Sequence, residues 1–257
     1  MATKPVLISR KADPAASISE AEWQMRVDLA ACYRLIAHYD MDDMFATHIS
    51  ARVPGDADHF LLNPYGVLFE QITASSLVKV DLDGNIIQDT EHTINPAGFV
   101  IHSAVHAARH DAKCVVHTHT VAGMAVACME DGLLPLTQKS MRFYNRIAYH
   151  DYEGVADDLD ERERLVRDLG KHNTMILRNH GLLVCGKTVA QAFLTMRNLE
   201  KSCKTQIAAM STGAKLIKLS PNLMEHAAGQ FDSNDGRANG WPALLKMLDG
   251  MDPSYRN

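Results

Sequence analysis

The chain has 257 residues, 46% of them hydrophobic, and a formal charge of −5. That is enough apolar chain for one substantial core, and the length does not force a second. A pI near 6.2 without a long basic run argues against nucleic acid or an anionic membrane surface as the main partner, and no stretch approaches the roughly 18 apolar residues of a membrane span.

Residues 1–18 read as an N-terminal arm, with Pro5, Pro14 and mixed charges. Met1 to Ala16 lacks the apolar segment of a secretory signal. Cys32, Cys114, Cys128, Cys185 and Cys203 are scattered, odd in number and without a C-x-x-C. They are expected to be small buried hydrophobes in a reducing, cytoplasmic compartment. Ser19 and Glu22 have the spacing of a capping box. They open a helix whose apolar residues Trp23, Val27, Ala30, Tyr33 and Leu35 recur at helical spacing. Residues 45–53 and 59–63 read as strands, separated by Pro54-Gly55, and Pro64-Tyr65-Gly66 turns out of the second. After a short helix expected at 74–77, residues 77–82 alternate as a half-buried strand. Asp83-Gly84 then turns the chain into Asn85-Ile86-Ile87.

A helix follows from Pro96. It carries His102 and His106 at i and i+4, either a second metal pair or packing residues, without the internal Glu of an H-E-x-x-H site. Cys114 to Thr120 then reads as a short buried strand. Side chains alternate along a strand, so His117 and His119 face the same way with Cα atoms roughly 7 Å apart. The pair is either half of a metal site or two satisfied histidines at a strand end, and a site needs a third ligand. Residues 121–129 read as a helix and 132–136 as a loop leading to 144–152. A charged amphipathic helix is expected at 157–169. Strands at 173–177 and 182–185 flank the turn Arg178-Asn179-His180-Gly181, and Thr188 caps a long helix from Val189 to about Met210. A main domain is read over 19–215. Residues 216–257 form a tail whose short apolar helix at 241–248 is expected to dock, for instance on a neighbouring subunit.

His180 offers the third ligand. It stands at a loop tip between two core strands, before a glycine that permits a tight turn. Three histidines with an open position are a catalytic arrangement rather than a structural one.

These residues also carry a family resemblance. Val116-His117-Thr118-His119-Thr120, Asn179-His180-Gly181-Leu182-Leu183 with Gly186, Val80-Asp81-Leu82-Asp83-Gly84 and Asn63-Pro64-Tyr65-Gly66 resemble the class II aldolase/adducin family, in order over roughly residues 20–215. The resemblance implies an α/β/α three-layer fold with a central, mainly antiparallel sheet. It also implies a homo-oligomer, usually a tetramer with active sites at subunit interfaces. The metal-ligand positions matched are His117, His119 and His180. They would hold one divalent ion, zinc first, with manganese, cobalt or another as alternatives, acting as a Lewis acid that stabilises an enolate.

The chain departs from the sugar-phosphate aldolases of that family. Those enzymes carry Ser-Ser-Glu four residues before the helix histidine matched by His102, and this chain reads Pro96-Ala97-Gly98 there. The acid/base carboxylate and the phosphate-binding hydroxyls are missing. A second phosphate element, Gly-Asn, is replaced by Thr47-His48, which resembles the adducin-like branch and some metal-dependent decarboxylases. The implied activity is a divalent-metal-dependent carbon–carbon lyase, of aldolase or decarboxylase type. Its substrate would be a small non-phosphorylated hydroxy-carbonyl or carboxylated molecule. His48 is the first candidate for proton transfer and Tyr152 the second; Thr47, Arg52, Asn63, Gly66 and Gly98 are candidate substrate contacts. The alternative is an adducin-like protein-interaction domain without catalysis.

Overall fold

The computed structural model describes residues 9–10, 18–56, 58–154, 161–232 and 240–257. The arm read at 1–18 lies outside them apart from 9–10 and 18, as does the start of the helix read at 157–169. The strands are β1 (Ser9–Arg10), β2 (His48–Arg52), β3 (His59–Leu62), β4 (Val78–Asp81), β5 (Asn85–Ile86), β6 (Cys114–Thr118), β7 (Ala148–His150), β8 (Thr174–Leu177) and β9 (Gly181–Gly186). The helices are α1 (Glu20–His38), α2 (Pro96–Ala108), α3 (Val121–Ala127), α4 (Gln138–Met141), α5 (Glu161–Leu169), α6 (Val189–Ser211), α7 (Pro221–Asp232) and α8 (Trp241–Met251). The strands form one sheet in the order β1-β5-β4-β3-β2-β6-β9-β8-β7. Among the described residues only the outermost pairs, β1 with β5 and β7 with β8, are parallel, so the sheet is mainly antiparallel.

Alternation along the central strands sorts the core into two faces. Ile49, Cys114, Val116, Leu182 and Val184 pack with α1 and α6. Val115, Leu183, Cys185 and Met175 pack with Ile101 and Val105 of α2 and with Leu165 and Leu169 of α5. Helices therefore cover both faces, as the three-layer architecture requires. A third cluster, with Phe60, Val78, Val80 and Phe99, fills the space between β3, β4 and the start of α2.

Several local expectations change in the folded chain. Ser19 caps α1, its Oγ accepting from the Glu22 amide at 3.1 Å. Glu22 does not complete a capping box. Its carboxylate accepts from Arg26 at 2.8 and 3.0 Å and from Lys79 on β4 at 2.9 Å. A buried carboxylate beside two cations gains more there than from a helix-terminal amide. The helix expected at 74–77 is a turn, and a 3₁₀ turn forms earlier, at Phe69–Gln71. The C-terminal helix docks on its own chain. Trp241 Nε1 donates to Asp28 of α1 at 3.2 Å, its ring packs 6.0 Å from Phe193, and Tyr255 is fully buried.

Arg26 is 1% exposed and also donates to the Leu77 carbonyl at 2.8 Å, so it joins α1 to the chain entering β4. Burial acts to raise the Glu22 carboxyl, but Lys79 and Arg26 outweigh it and hold the group below its usual range. Arg26→Met is expected to cost about 3 kcal/mol in chemical denaturation. That is the low end for a broken buried pair, because Lys79 still faces Glu22. An unchanged midpoint would show that the pair contributes nothing net.

Candidate metal centre

Two central strands bring the triad together. On β6, His117 faces the α2/α5 side in register with His48 of β2 and Leu183 of β9. The strand ends at Thr118, so His119 already lies in the link to α3. His180 ends the turn between β8 and β9, where Asn179 adopts a left-handed backbone with φ +56°. His117 Nε2 lies 2.8 Å from His119 Nε2, and His119 Nε2 lies 3.0 Å from His180 Nε2. Among the described residues this is the one group of histidine, cysteine or acidic side chains so gathered, with its donor atoms within 4.8 Å of one another. His117 is buried, while His119 and His180 reach the surface, so the site opens on their side.

The outer nitrogens decide what the inner ones can do. His117 Nδ1 lies 2.9 Å from the Leu182 carbonyl, which can only accept, so Nδ1 carries the proton and Nε2 a lone pair. His119 Nδ1 faces the Asp43 carboxylate at 3.2 Å with the same consequence. Two lone pairs therefore point at each other across 2.8 Å, which is repulsive unless a cation stands between them. Zinc–nitrogen bonds of 2.0–2.1 Å in a tetrahedral site set the nitrogens roughly 3.3 Å apart, so a divalent ion needs only a small outward shift of these rings. Burial holds His117 well below its ordinary pKa, and burial also pulls His180 down to about 4. Burial lowers His119 too, against the opposing pull of Asp43. The donors are neutral near pH 7, as ligation requires.

Gly181 makes the convergence possible. A Cβ built there would stand 2.5 Å from the Thr118 carbonyl and 3.0 Å from the His119 ring. Asp43 and the Leu182 carbonyl were not singled out from sequence. Asp43 belongs to the acidic run Asp40-Met41-Asp42-Asp43 after α1, which by itself names no partner, and a carbonyl leaves no mark on a residue pattern.

His48 is buried beside the triad. Its ring stacks on that of His117 at a centroid distance of 5.2 Å and an interplanar angle of 23°. It lies against Gly98, where a Cβ would fall 2.5 Å from His48 Cδ2. The space over position 98 is thus filled by an imidazole supplied from β2. His102 and His106 are not a metal pair. Both are fully buried, and Ser50 Oγ lies 2.5 Å from His102 Nδ1 and 2.7 Å from His106 Nε2. His48 Nδ1 lies 3.2 Å from His102 Nε2.

The remaining candidates fall in different places. Arg52 shares the α2-facing side of β2 with His48 and Ser50 but sits at its far end. Its buried guanidinium donates to the His106 carbonyl and, at 3.5 Å, to that of Arg109. It serves the C-terminus of α2 instead of meeting a substrate carboxylate, because the strand carries it away from the triad. Asn63 is buried and its Oδ1 accepts from Tyr33 at 3.0 Å, which ties it to α1 instead of a substrate pocket. Thr47 is buried, and its hydroxyl has no hydrogen-bond partner among the described residues. Gly66 turns the chain with φ +82° in open space. Tyr152 is 55% exposed on the loop after β7 and lines a crevice together with His180.

That crevice also holds His150, which is 3% exposed, with Asp168 Oδ2 at 2.8 Å and Glu161 Oε1 at 3.4 Å. Glu161 raises the His150 pKa, burial opposes it, and Asp168 adds to the rise. A raised folded-state value stabilises the fold fully below the unfolded histidine value, about 6.5, and that contribution fades as pH rises through the folded value. The melting temperature is expected to fall above about pH 6.5, and His150→Ala is expected to flatten the slope. Equal slopes in the two proteins would exclude His150 as the source.

Residues 27–207 match the Class II Aldolase and Adducin N-terminal domain. The chain belongs to the class II aldolase and adducin family. It is 52% identical over 254 residues to a Pseudomonas aeruginosa protein named "Putative aldolase class 2 protein", covering 96% of this chain and 98% of that one. It is 38% identical over 249 residues to rat alpha-adducin, covering 90% of this chain but 34% of the adducin, so it spans about a third of that relative. Among solved structures, an aldolase II superfamily protein from Pseudomonas syringae superposes with a TM-score of 0.90 at 50% identity, covering 93% and 98% of the two chains. An L-fuculose 1-phosphate aldolase from Glaciozyma antarctica superposes at 0.82 with 26% identity, covering 96% and 97%. The family's α/β fold is therefore the fold of this chain. Among the described residues, no helix is long and apolar enough to cross a membrane.

Proposed function

We propose that this family member is a divalent-metal-dependent carbon–carbon lyase, acting on a small non-phosphorylated hydroxy-carbonyl or carboxylated substrate. The observation that supports it most is the convergence of the His117, His119 and His180 Nε2 atoms, with the outer nitrogens of the first two committed to Leu182 and Asp43. These three residues would hold the ion, with zinc, manganese and cobalt as candidates in that order. When bound, it supplies Lewis-acid polarisation of a substrate oxygen.

The rest of the chemistry falls to the chain's own groups. His48 carries the proton. It stands over Gly98, the position where the sugar-phosphate aldolases the chain resembles carry their acid/base Glu, and its second ring nitrogen is tied to His102. Retro-aldol cleavage uses His48 to take a hydroxyl proton and return it to carbon, whereas decarboxylation needs it only as donor. Tyr152, beside His180 in its crevice, is the second proton carrier. Its exposure suits a site completed by another subunit, so a homo-oligomer, a tetramer in the family's usual form, is part of the proposal, as is a cytoplasmic location.

The likeness to alpha-adducin favours one other reading, a protein-interaction domain without turnover. Purification without added metal, followed by product detection on hydroxy-carbonyl and carboxylated compounds, separates the two. Bound metal with a new aldehyde or with carbon dioxide supports the lyase and tells the two cleavages apart. A metal-free protein whose melting temperature ignores zinc supports the scaffold.

A further inference from the structure

The segment His117-Thr118-His119-Thr120 divides between two faces, as alternation along an extended chain requires. The histidines turn toward one another and the threonines turn toward α6. Thr118 Oγ1 lies 3.4 Å from Met196 Sδ, and Thr120 Oγ1 donates to Glu200 Oε2. Met196 and Glu200 stand four residues apart, about one turn along the buried face of α6. Successive threonines of the ligand segment therefore meet successive turns of one helix.

The second of these contacts falls where other support is scarce. The pairing of β6 with β9 ends at Thr118, so the ladder does not fix His119. The His119 ring meets the other two histidines of the triad and Asp43, whose side chain is 51% exposed. Its place is therefore set by the backbone of the link to α3, and Thr120 holds that link. The buried Thr120 hydroxyl caps α3, accepting from the Gly123 amide at 3.1 Å, and its one proton goes to Glu200. A Cβ at position 123 would fall 2.6 Å from the same hydroxyl, so the glycine leaves that oxygen its space.

Glu200 is 3% exposed and shares its face of α6 with the buried apolar residues Phe193, Met196 and Cys203. A carboxylate taken out of water there costs more than an apolar side chain would, unless its oxygens find partners. One oxygen meets Thr120, and the other meets Lys204 Nζ at 3.2 Å. Lys204 reaches in from the surface, so the charge is balanced from outside while the bond to Thr120 stays enclosed.

We infer that Glu200 and Thr120 are positioning residues for the metal centre, which clamp the end of the ligand segment to α6 and so hold His119 in place beside His117 and His180. This rests on the reading of the triad as a metal site. Neither residue is among the converging donors, and both act through the backbone next to His119.

The test is a zinc titration of the full-length protein, freed of metal, against a competing chelator, with the melting temperature of each metal-free protein measured alongside. The native protein should bind about one zinc ion per chain. Glu200→Ala and Thr120→Val remove the same bond from its two ends. Each should weaken zinc binding about 10–100-fold, the scale of lost outer supports of metal ligands. The double variant should bind no more weakly than the weaker single one, because the two changes remove one shared interaction. Thr120→Ser keeps the hydroxyl and should return the native affinity. A purely structural role would lower the melting temperature and leave zinc affinity unmoved. Native affinity in both Glu200→Ala and Thr120→Val overturns the inference and leaves the metal reading standing, whereas a native protein that takes up no zinc sinks the metal reading and the inference with it. If Glu200→Ala fails to fold, Thr120→Val decides; if both fail, the bond belongs to the core and the inference is lost.

Discussion

The His117→Ala, His119→Ala double variant is expected to purify without divalent metal, while the native chain carries about one ion per polypeptide. The expectation follows from the donor count. Three neutral imidazole nitrogens converge, and the variant leaves one, His180, whose position on a turn gives no chelate. The fold should survive, because His117 makes one bond to the core, to the Leu182 carbonyl. Losing it costs about 1–3 kcal/mol for an unmet buried acceptor. Elemental analysis of both proteins, purified without added metal, gives the answer. Equal metal in both would place the ion elsewhere, and none in either would favour the scaffold reading. Gly181→Ala should act in the same direction while keeping every ligand, because the new methyl meets the Thr118 carbonyl at 2.5 Å and crowds the His119 ring.

His48→Gln is expected to lower turnover by about 10²–10⁴-fold, the usual contribution of a positioned acid or base. Metal content should be unchanged, since His48 is not among the converging donors. Glutamine can still bond to His102 but cannot carry a proton at neutral pH, so the substitution separates proton transfer from packing. Unaltered turnover would remove His48 from the mechanism and leave Tyr152 as the carrier to test. Gly98→Ala offers a geometric counterpart. It keeps His48 but drives a methyl to 2.5 Å from Cδ2, so the ring must leave its place against His117. A loss of turnover comparable to that of His48→Gln, again with metal retained, is expected.

Much of this arrangement was legible in the residues themselves. The hydrophobic run of β6, the glycine after His180 and the cap at Thr188 each state a local preference, and the fold agrees with all three. Local preference was least informative where a long-range contact competed with it. Ser19 and Glu22 spell a capping box, yet Glu22 turns to Arg26 and Lys79, because Lys79 comes from a strand 57 residues away in sequence. Helix α7 repeats Leu223, Ala227 and Phe231 at helical spacing, yet it buries only Ala228 and is held by Arg146 to Glu225 and Asp232, so the reading of residues 216–257 as a tail with one short helix missed it.

The sequence alone determined the family pattern, the three metal-ligand candidates and the missing carboxylate at Gly98, since each is a residue type at a fixed spacing. Only the tertiary structure decided what lies against Gly98 in the carboxylate's absence. His48 on β2 lies against Gly98 of α2, 50 residues further along the chain, and Ser50, His102, His106, Asp43 and the Leu182 carbonyl meet their partners through contacts between distant segments. Spacing along a chain reports which groups are present, but which of them meet is set by how distant segments pack in space.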